Sequence, residues 1–114
     1  MSGDRFDDRV VLVTGGSRGI GRAIAVQFAR AGADVVLNYN SRHDAAAEVA
    51  GQVEQAGRAC VLVPGSVADP AVAQEMARVA LERFGRIDVL VNNAGIRSYE
   101  PLAEAKRETW ERIL

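Results

Sequence analysis

The sequence predicts an α/β protein built on a parallel sheet with helices on both faces. Three observations predict it. Short β-branched runs alternate with longer segments of helical spacing. The apolar runs are continuous, as in strands buried on both sides. The glycines cluster where elements meet, so they mark tight turns instead of a flexible linker.

Each element follows in order. Val10-Val11-Leu12-Val13 reads as the first strand and runs into Thr14-Gly15-Gly16. From Ile20, apolar residues recur at Ile24, Phe28 and Ala31, one face of a helix that Gly32 ends. Val35-Val36-Leu37 is the second strand, with Asp34 at its start. Ala46, Val49, Val53 and Ala56 have helical spacing and stop at Gly57. The third strand is Ala59-Cys60-Val61-Leu62-Val63, with Cys60 as a small core residue. Asp69-Pro70 opens the next helix, Asp as its cap and Pro in its first turn. Val72, Met76, Val79 and Phe84 supply that helix's apolar face and Gly85 closes it. Val89-Leu90-Val91 is the fourth strand. A helix is expected to start near Lys106, with Trp110, Ile113 and Leu114 as its apolar face. The order β-α-β-α-β-α-β-α implies right-handed crossovers and a doubly wound sheet.

Composition bounds the function. The chain has 114 residues, 48% hydrophobic and 25% charged, which is the balance of one globular domain. A net charge of −1 argues against a broad nucleic-acid surface. No apolar run approaches the roughly 18 residues of a membrane span. The acidic, polar start does not read as a signal peptide, and a single cysteine makes no internal disulfide, so a cytoplasmic location is expected by default. Residues 1–7 read as a polar tail and residues 8–114 as one dinucleotide-binding domain.

The chemistry begins at Thr14-Gly15-Gly16-Ser17-Arg18-Gly19-Ile20-Gly21, between a strand and a helix. Glycines at such a turn let the backbone approach a phosphate, and the N–H groups and dipole of the next helix face the anion. A second motif, Asn92-Asn93-Ala94-Gly95, ends the fourth strand, where open α/β sheets bind ligands. Together, in this order, the two motifs resemble the short-chain dehydrogenase/reductase family, in its standard-length branch. The run from Val13 to Ala25 looks most like the β-ketoacyl-carrier-protein reductase group. The resemblance implies the doubly wound Rossmann fold and ketone–alcohol interconversion by hydride transfer at a nicotinamide ring. It assigns Asn93 and the backbone of Ala94 and Gly95 to the adenosine ribose, and gives Asn92 a partly structural role.

An NAD-specific site carries an acid at the end of the second strand, about 20 residues past the glycine loop. That position lies near Tyr39, in Leu37-Asn38-Tyr39-Asn40-Ser41-Arg42, and has no acid. Arg18 in the loop and Arg42 after the strand can instead hold a 2′-phosphate, with Asn40 and Ser41 as further donors. NADP(H) is therefore favoured over NAD(H). After the third strand, Ser66 stands where the family usually has Asp or Asn for the adenine amino group, and the backbone of Val67 serves the same region. Asp69 reads as a helix cap, His43 as a surface histidine, and Tyr99 as part of a loop bordering the substrate side. No metal site is expected.

The family's catalytic Tyr-x-x-x-Lys is absent: Leu102 stands four residues before Lys106, the only lysine. A dinucleotide fold normally has two βαβαβ halves, so the complete protein is expected to be roughly twice this length. The 114 residues alone are expected to be catalytically inactive and prone to aggregate, because the fourth strand keeps an open edge. The complete protein is expected to take a small carbonyl or alcohol substrate, for instance a 3-oxoacyl thioester, and to form a homo-oligomer. The competing reading is a non-catalytic dinucleotide-binding module, or a truncated pseudoenzyme, that binds NADP(H) or a full-length relative.

Overall fold

The computed structural model describes residues 5–16, 19–93 and 98–101. Strands β1 (Val10–Thr14), β2 (Asp34–Tyr39), β3 (Cys60–Pro64), β4 (Val89–Asn92) and β5 (Ser98–Pro101) form one sheet in the order β3-β2-β1-β4-β5. Helices α1 (Gly19–Arg30), α2 (His43–Gln55) and α3 (Pro70–Phe84) make the connections. The first four strands are parallel, with Leu12 in register with Val36 on one side and Leu90 on the other.

Strand alternation divides the core into two layers. Val11, Val13, Val35 and Leu37 pack with Ala25 and Ala29 of α1 and Val49 and Val53 of α2. Val10, Leu12 and Val36 face Val72, Met76 and Ala80 of α3. The doubly wound architecture expected from the alternation is therefore present, with α1 and α2 on one face and α3 on the other. The chain reverses its direction of travel between β1 and β4, and the crevice at a doubly wound sheet's switch point opens there. Ahead of β1, Phe6 packs edge-on against Phe28, and its N–H donates to the Ala31 carbonyl at 2.8 Å.

Three expectations are corrected. The edge of β4 is not open: β5 pairs with it antiparallel, Leu90 opposite Glu100 and Val91 opposite Tyr99. An unpaired row of N–H and C=O groups is satisfied by the nearest available strand, and an antiparallel return needs only a short connection. Tyr99 therefore belongs to a strand and not to a loop. The buried face of α1 is also different. Gly21, Ala25, Val26 and Ala29 are its buried residues; the expected Ile24 and Phe28 pack half-buried against the same core, while Ile20 is 65% exposed. Small residues bring the helix axis close to the sheet, which the larger apolar side chains would prevent. Beyond Val35-Val36-Leu37, β2 runs on through Asn38 to Tyr39, the position read as the strand's end.

The third helix begins as expected: Asp69 accepts a hydrogen bond from the Ala71 N–H at 3.0 Å, and Gly85 closes it at φ 80°. Cys60 starts β3, half-buried, and burial pushes its thiol up to about 12. The helix expected from Lys106 lies outside the described residues. Among the described residues, no helix is long and apolar enough to cross a membrane.

Candidate functional site

The C-terminal ends of β1, β2, β3 and β4 meet at one rim of the sheet, and hydrogen bonds lock their exits together. Gly15 follows β1 with φ 62°, a conformation that suits glycine. Its carbonyl accepts from Asn93 Nδ2 at 3.2 Å, which joins the β1 exit to the β4 exit. Beneath this, Thr14 Oγ1 lies 3.1 Å from Asn92 Oδ1 and donates across the same strand pair. Asn92 thus braces the sheet, while the Asn93 side chain fixes the glycine turn.

Packing explains two of the glycines. A Cβ on Gly21 would stand 2.5 Å from the Gly15 carbonyl oxygen and 2.8 Å from the Gly16 Cα, so only glycine lets α1 come this close to the turn. A Cβ on Gly16 would stand 2.1 Å from Leu37 Cδ1. Gly19 differs: it is exposed, and among the described residues a Cβ there would meet nothing within 4 Å. The inner glycines pack the turn and the outer one leaves the start of α1 uncovered, with no acid in its first turn. An accessible helix N-terminus without a carboxylate suits an anion. The cradle therefore fits a dinucleotide's pyrophosphate.

Asn38, which the sequence pattern left unremarked, is the hub of this rim. It is 2% exposed. Its Oδ1 accepts from the Gly15 N–H at 3.3 Å, and its Nδ2 donates to the carbonyls of Val63 at 3.1 Å and Gly65 at 2.9 Å. Its backbone carbonyl accepts from the Gly16 N–H at 3.0 Å. One buried amide thus ties the glycine turn after β1 to the exit of β3. The available signal was a lone amide at the end of an otherwise apolar strand, since a buried amide needs partners for every polar atom.

The remaining expected residues divide into two groups. Asn40, Ser41 and Arg42 follow β2 as an exposed segment, and Arg42 Nε lies 3.7 Å from Asp44 Oδ1. Ser66 and Val67 follow β3, where Ser66 Oγ accepts from the Ala68 N–H at 3.1 Å. Ser17, Arg18, Ala94 and Gly95 lie outside the described residues. The structure thus brings Gly15, Gly16, Gly21 and Asn93 into direct contact, with Gly19 and Ile20 at the open start of α1.

Residues 9–114 match the short chain dehydrogenase family along their whole length. The chain belongs to that family. It is 40% identical over 107 residues to a short-chain dehydrogenase/reductase, FrzI, from Cladobotryum sp, covering 94% of this chain and 42% of the relative. It is 41% identical over 107 residues to an L-rhamnose 1-dehydrogenase (NAD(P)(+)) from a Sphingomonas species, with the same coverage, 94% and 42%. Among solved structures, a short chain dehydrogenase from Burkholderia cenocepacia in complex with NADP superposes with a TM-score of 0.76 at 42% identity, covering 81% of this chain and 38% of that one. This short-chain dehydrogenase chain therefore spans less than half the length of the relatives it matches. Its relatives are varied, and the finer resemblance to the β-ketoacyl reductases does not stand out among them.

Proposed function

We propose that this chain is the cofactor-binding portion of an NADP(H)-dependent oxidoreductase that interconverts a ketone and a secondary alcohol. The observation that carries the reading is the rim itself. A turn of packed glycines sits against an accessible, acid-free helix start, and no acid stands at the end of β2. In this reading the N–H groups at Gly19, Ile20 and the glycine turn hold the pyrophosphate, with Ser17 beside them. Arg18, Asn40, Ser41 and Arg42 take the 2′-phosphate, because guanidinium and neutral donors favour a dianion that a carboxylate would repel. Ser66 and the Val67 backbone border the adenine. Asn93, Ala94 and Gly95 border the ribose. The bound nicotinamide ring supplies or accepts the hydride. The NADP bound in the Burkholderia relative supports the cofactor choice.

Titration of the full natural polypeptide with NADPH and with NADH tests the cofactor reading. NADPH is expected to bind at least about tenfold more tightly, the scale of one charge-assisted hydrogen bond to the phosphate. Equal affinities would overturn it. NADPH oxidation with a short 3-oxoacyl thioester, followed at 340 nm, is the first substrate assay. No turnover with that substrate while other ketones are reduced would remove the thioester and leave the carbonyl chemistry.

A further inference from the structure

The segment that separates the two nicotinamide cofactors in this reading, residues 40–42, is exposed along its whole length. The helix that follows begins at His43 without a side-chain cap. The residues flanking the 40–42 segment are nevertheless joined. Tyr39 Oη and His43 Nδ1 lie 2.6 Å apart, and the two rings meet at a tilt of 59° with centroids 5.4 Å apart. Tyr39 belongs to the sheet: it is 7% exposed, sits opposite Pro64 of β3, and its carbonyl accepts from the Gly65 N–H at 2.9 Å. His43 belongs to α2 and is an exposed residue. The bond therefore spans the joint between sheet and helix and closes residues 40–42 into a short loop. The phenol oxygen and Nδ1 can each donate or accept, the roles following the imidazole tautomer.

We propose that Tyr39 and His43 form a clamp that presets the β2–α2 loop for a 2′-phosphate, which makes both of them positioning residues for cofactor choice. The proposal rests on the NADP(H) reading above. An unclamped loop of exposed residues would be ordered only when the phosphate arrives, and that ordering would be subtracted from the affinity. The clamp does part of the ordering beforehand. Its side-chain hydrogen bond reaches neither the glycine turn nor the β3 exit, so its effect is expected on ligands that carry the extra phosphate.

The test compares 2′,5′-ADP with 5′-AMP, which differ by that phosphate alone, in titrations of the full natural polypeptide. Tyr39→Phe and His43→Phe keep aromatic rings and remove the bond. Each is expected to weaken 2′,5′-ADP about three- to tenfold, the scale of one net hydrogen bond, and to leave 5′-AMP within about twofold. The double variant is expected to lose no more than either single one, since the second change finds no bond left to break. A merely structural role would move both nucleotides together. Unchanged 2′,5′-ADP binding in both single variants, or losses that multiply in the double variant, would overturn the clamp alone. Equal binding of the two nucleotides by the wild-type protein would overturn the NADP(H) reading, and the clamp with it.

Discussion

The two ends of the parallel sheet are built from different chemistry. At the N-terminal ends of the strands, carboxylates do the bonding. Asp34 accepts from Arg58 Nε at 3.2 Å, from its terminal nitrogen at 3.0 Å, and from the Ala59 N–H at 2.9 Å. Asp88, 2% exposed, accepts from the Val10 N–H at 2.9 Å and from Arg86 at 2.8 and 2.7 Å. At the C-terminal ends, the same work of joining strand exits falls to neutral groups: Thr14, Asn38, Asn92 and Asn93. A carboxylate is the stronger acceptor, and among the described residues none joins the strand exits there. In the proposed reading this end receives an anion, and fixed negative charge within a few ångströms of an anion lowers its affinity. The end that only holds strands together has no such restriction. The comparison predicts that substitutions at the first end change stability, and that those at the second change binding.

The largest effect is expected at Asp88. Alanine leaves the buried Val10 N–H without a partner and opens a cavity between β1 and β4. A loss of about 2–4 kcal/mol of stability is expected, read by chemical denaturation. NADPH affinity of the protein that remains folded should stay within about twofold of wild type. A folded Asp88→Ala protein with wild-type stability would break the comparison at its strongest point.

Gly21→Ala tests the opposite end. Its Cβ meets backbone on two sides, at 2.5 and 2.8 Å, so α1 must move off the turn. Overpacking of this kind costs about 1–3 kcal/mol. The displaced helix start should weaken NADPH about ten- to a hundredfold, more than the stability change alone accounts for. Gly19→Ala, whose Cβ meets nothing among the described residues, is the control that separates steric from conformational cost.

β2 carries both chemistries, Asp34 at one end and Asn38 near the other, and sharpens the comparison within one strand. Asn38→Asp exchanges two donors for a carboxylate facing the Val63 and Gly65 carbonyls. Roughly tenfold weaker NADPH binding is expected, with a stability loss of about 1–3 kcal/mol. Asp34→Asn makes the reverse exchange where no ligand is expected. It should cost about 1 kcal/mol or less, because the Arg58 pair is partly solvated, and leave binding unchanged. Titration and denaturation of the two variants side by side would show whether the two ends of one strand differ as stated.

These two residues also mark what the sequence made legible. The glycine turn, the strand–helix alternation and the Asp69-Pro70 cap are local signals, each set by residues a few positions apart, and the structure carries them. Asn38 was not legible, because its partners Gly15, Val63 and Gly65 are remote in sequence and a lone amide ending an apolar run resembles the end of the strand. The buried face of α1 was read only in part for a related reason: helical spacing picks out Ile24 and Phe28, which do pack on the core, while close approach to the sheet selects Gly21, Ala25 and Ala29. β5 was missed because Ser98-Tyr99-Glu100-Pro101 is short and ends in proline, which suits an edge strand but does not announce one.

The smallest effect concerns a charge that breaks the pattern. Asp44, in the first turn of α2, lies 3.7 Å from Arg42 and is largely exposed. It is an acid close to the neutral rim, and it engages one of the cations assigned to the 2′-phosphate. Removing it should free Arg42 and lift a repulsion at the same time. Both contributions are screened by solvent, so Asp44→Asn is expected to tighten NADPH only about twofold, while NADH stays unchanged. The gain should shrink as salt rises from low to physiological strength, since the Debye length falls toward about 8 Å. Tightening of both cofactors alike would mean that Asp44 acts on the pyrophosphate end, and that the border between neutral rim and charged periphery lies closer to β1 than Arg42.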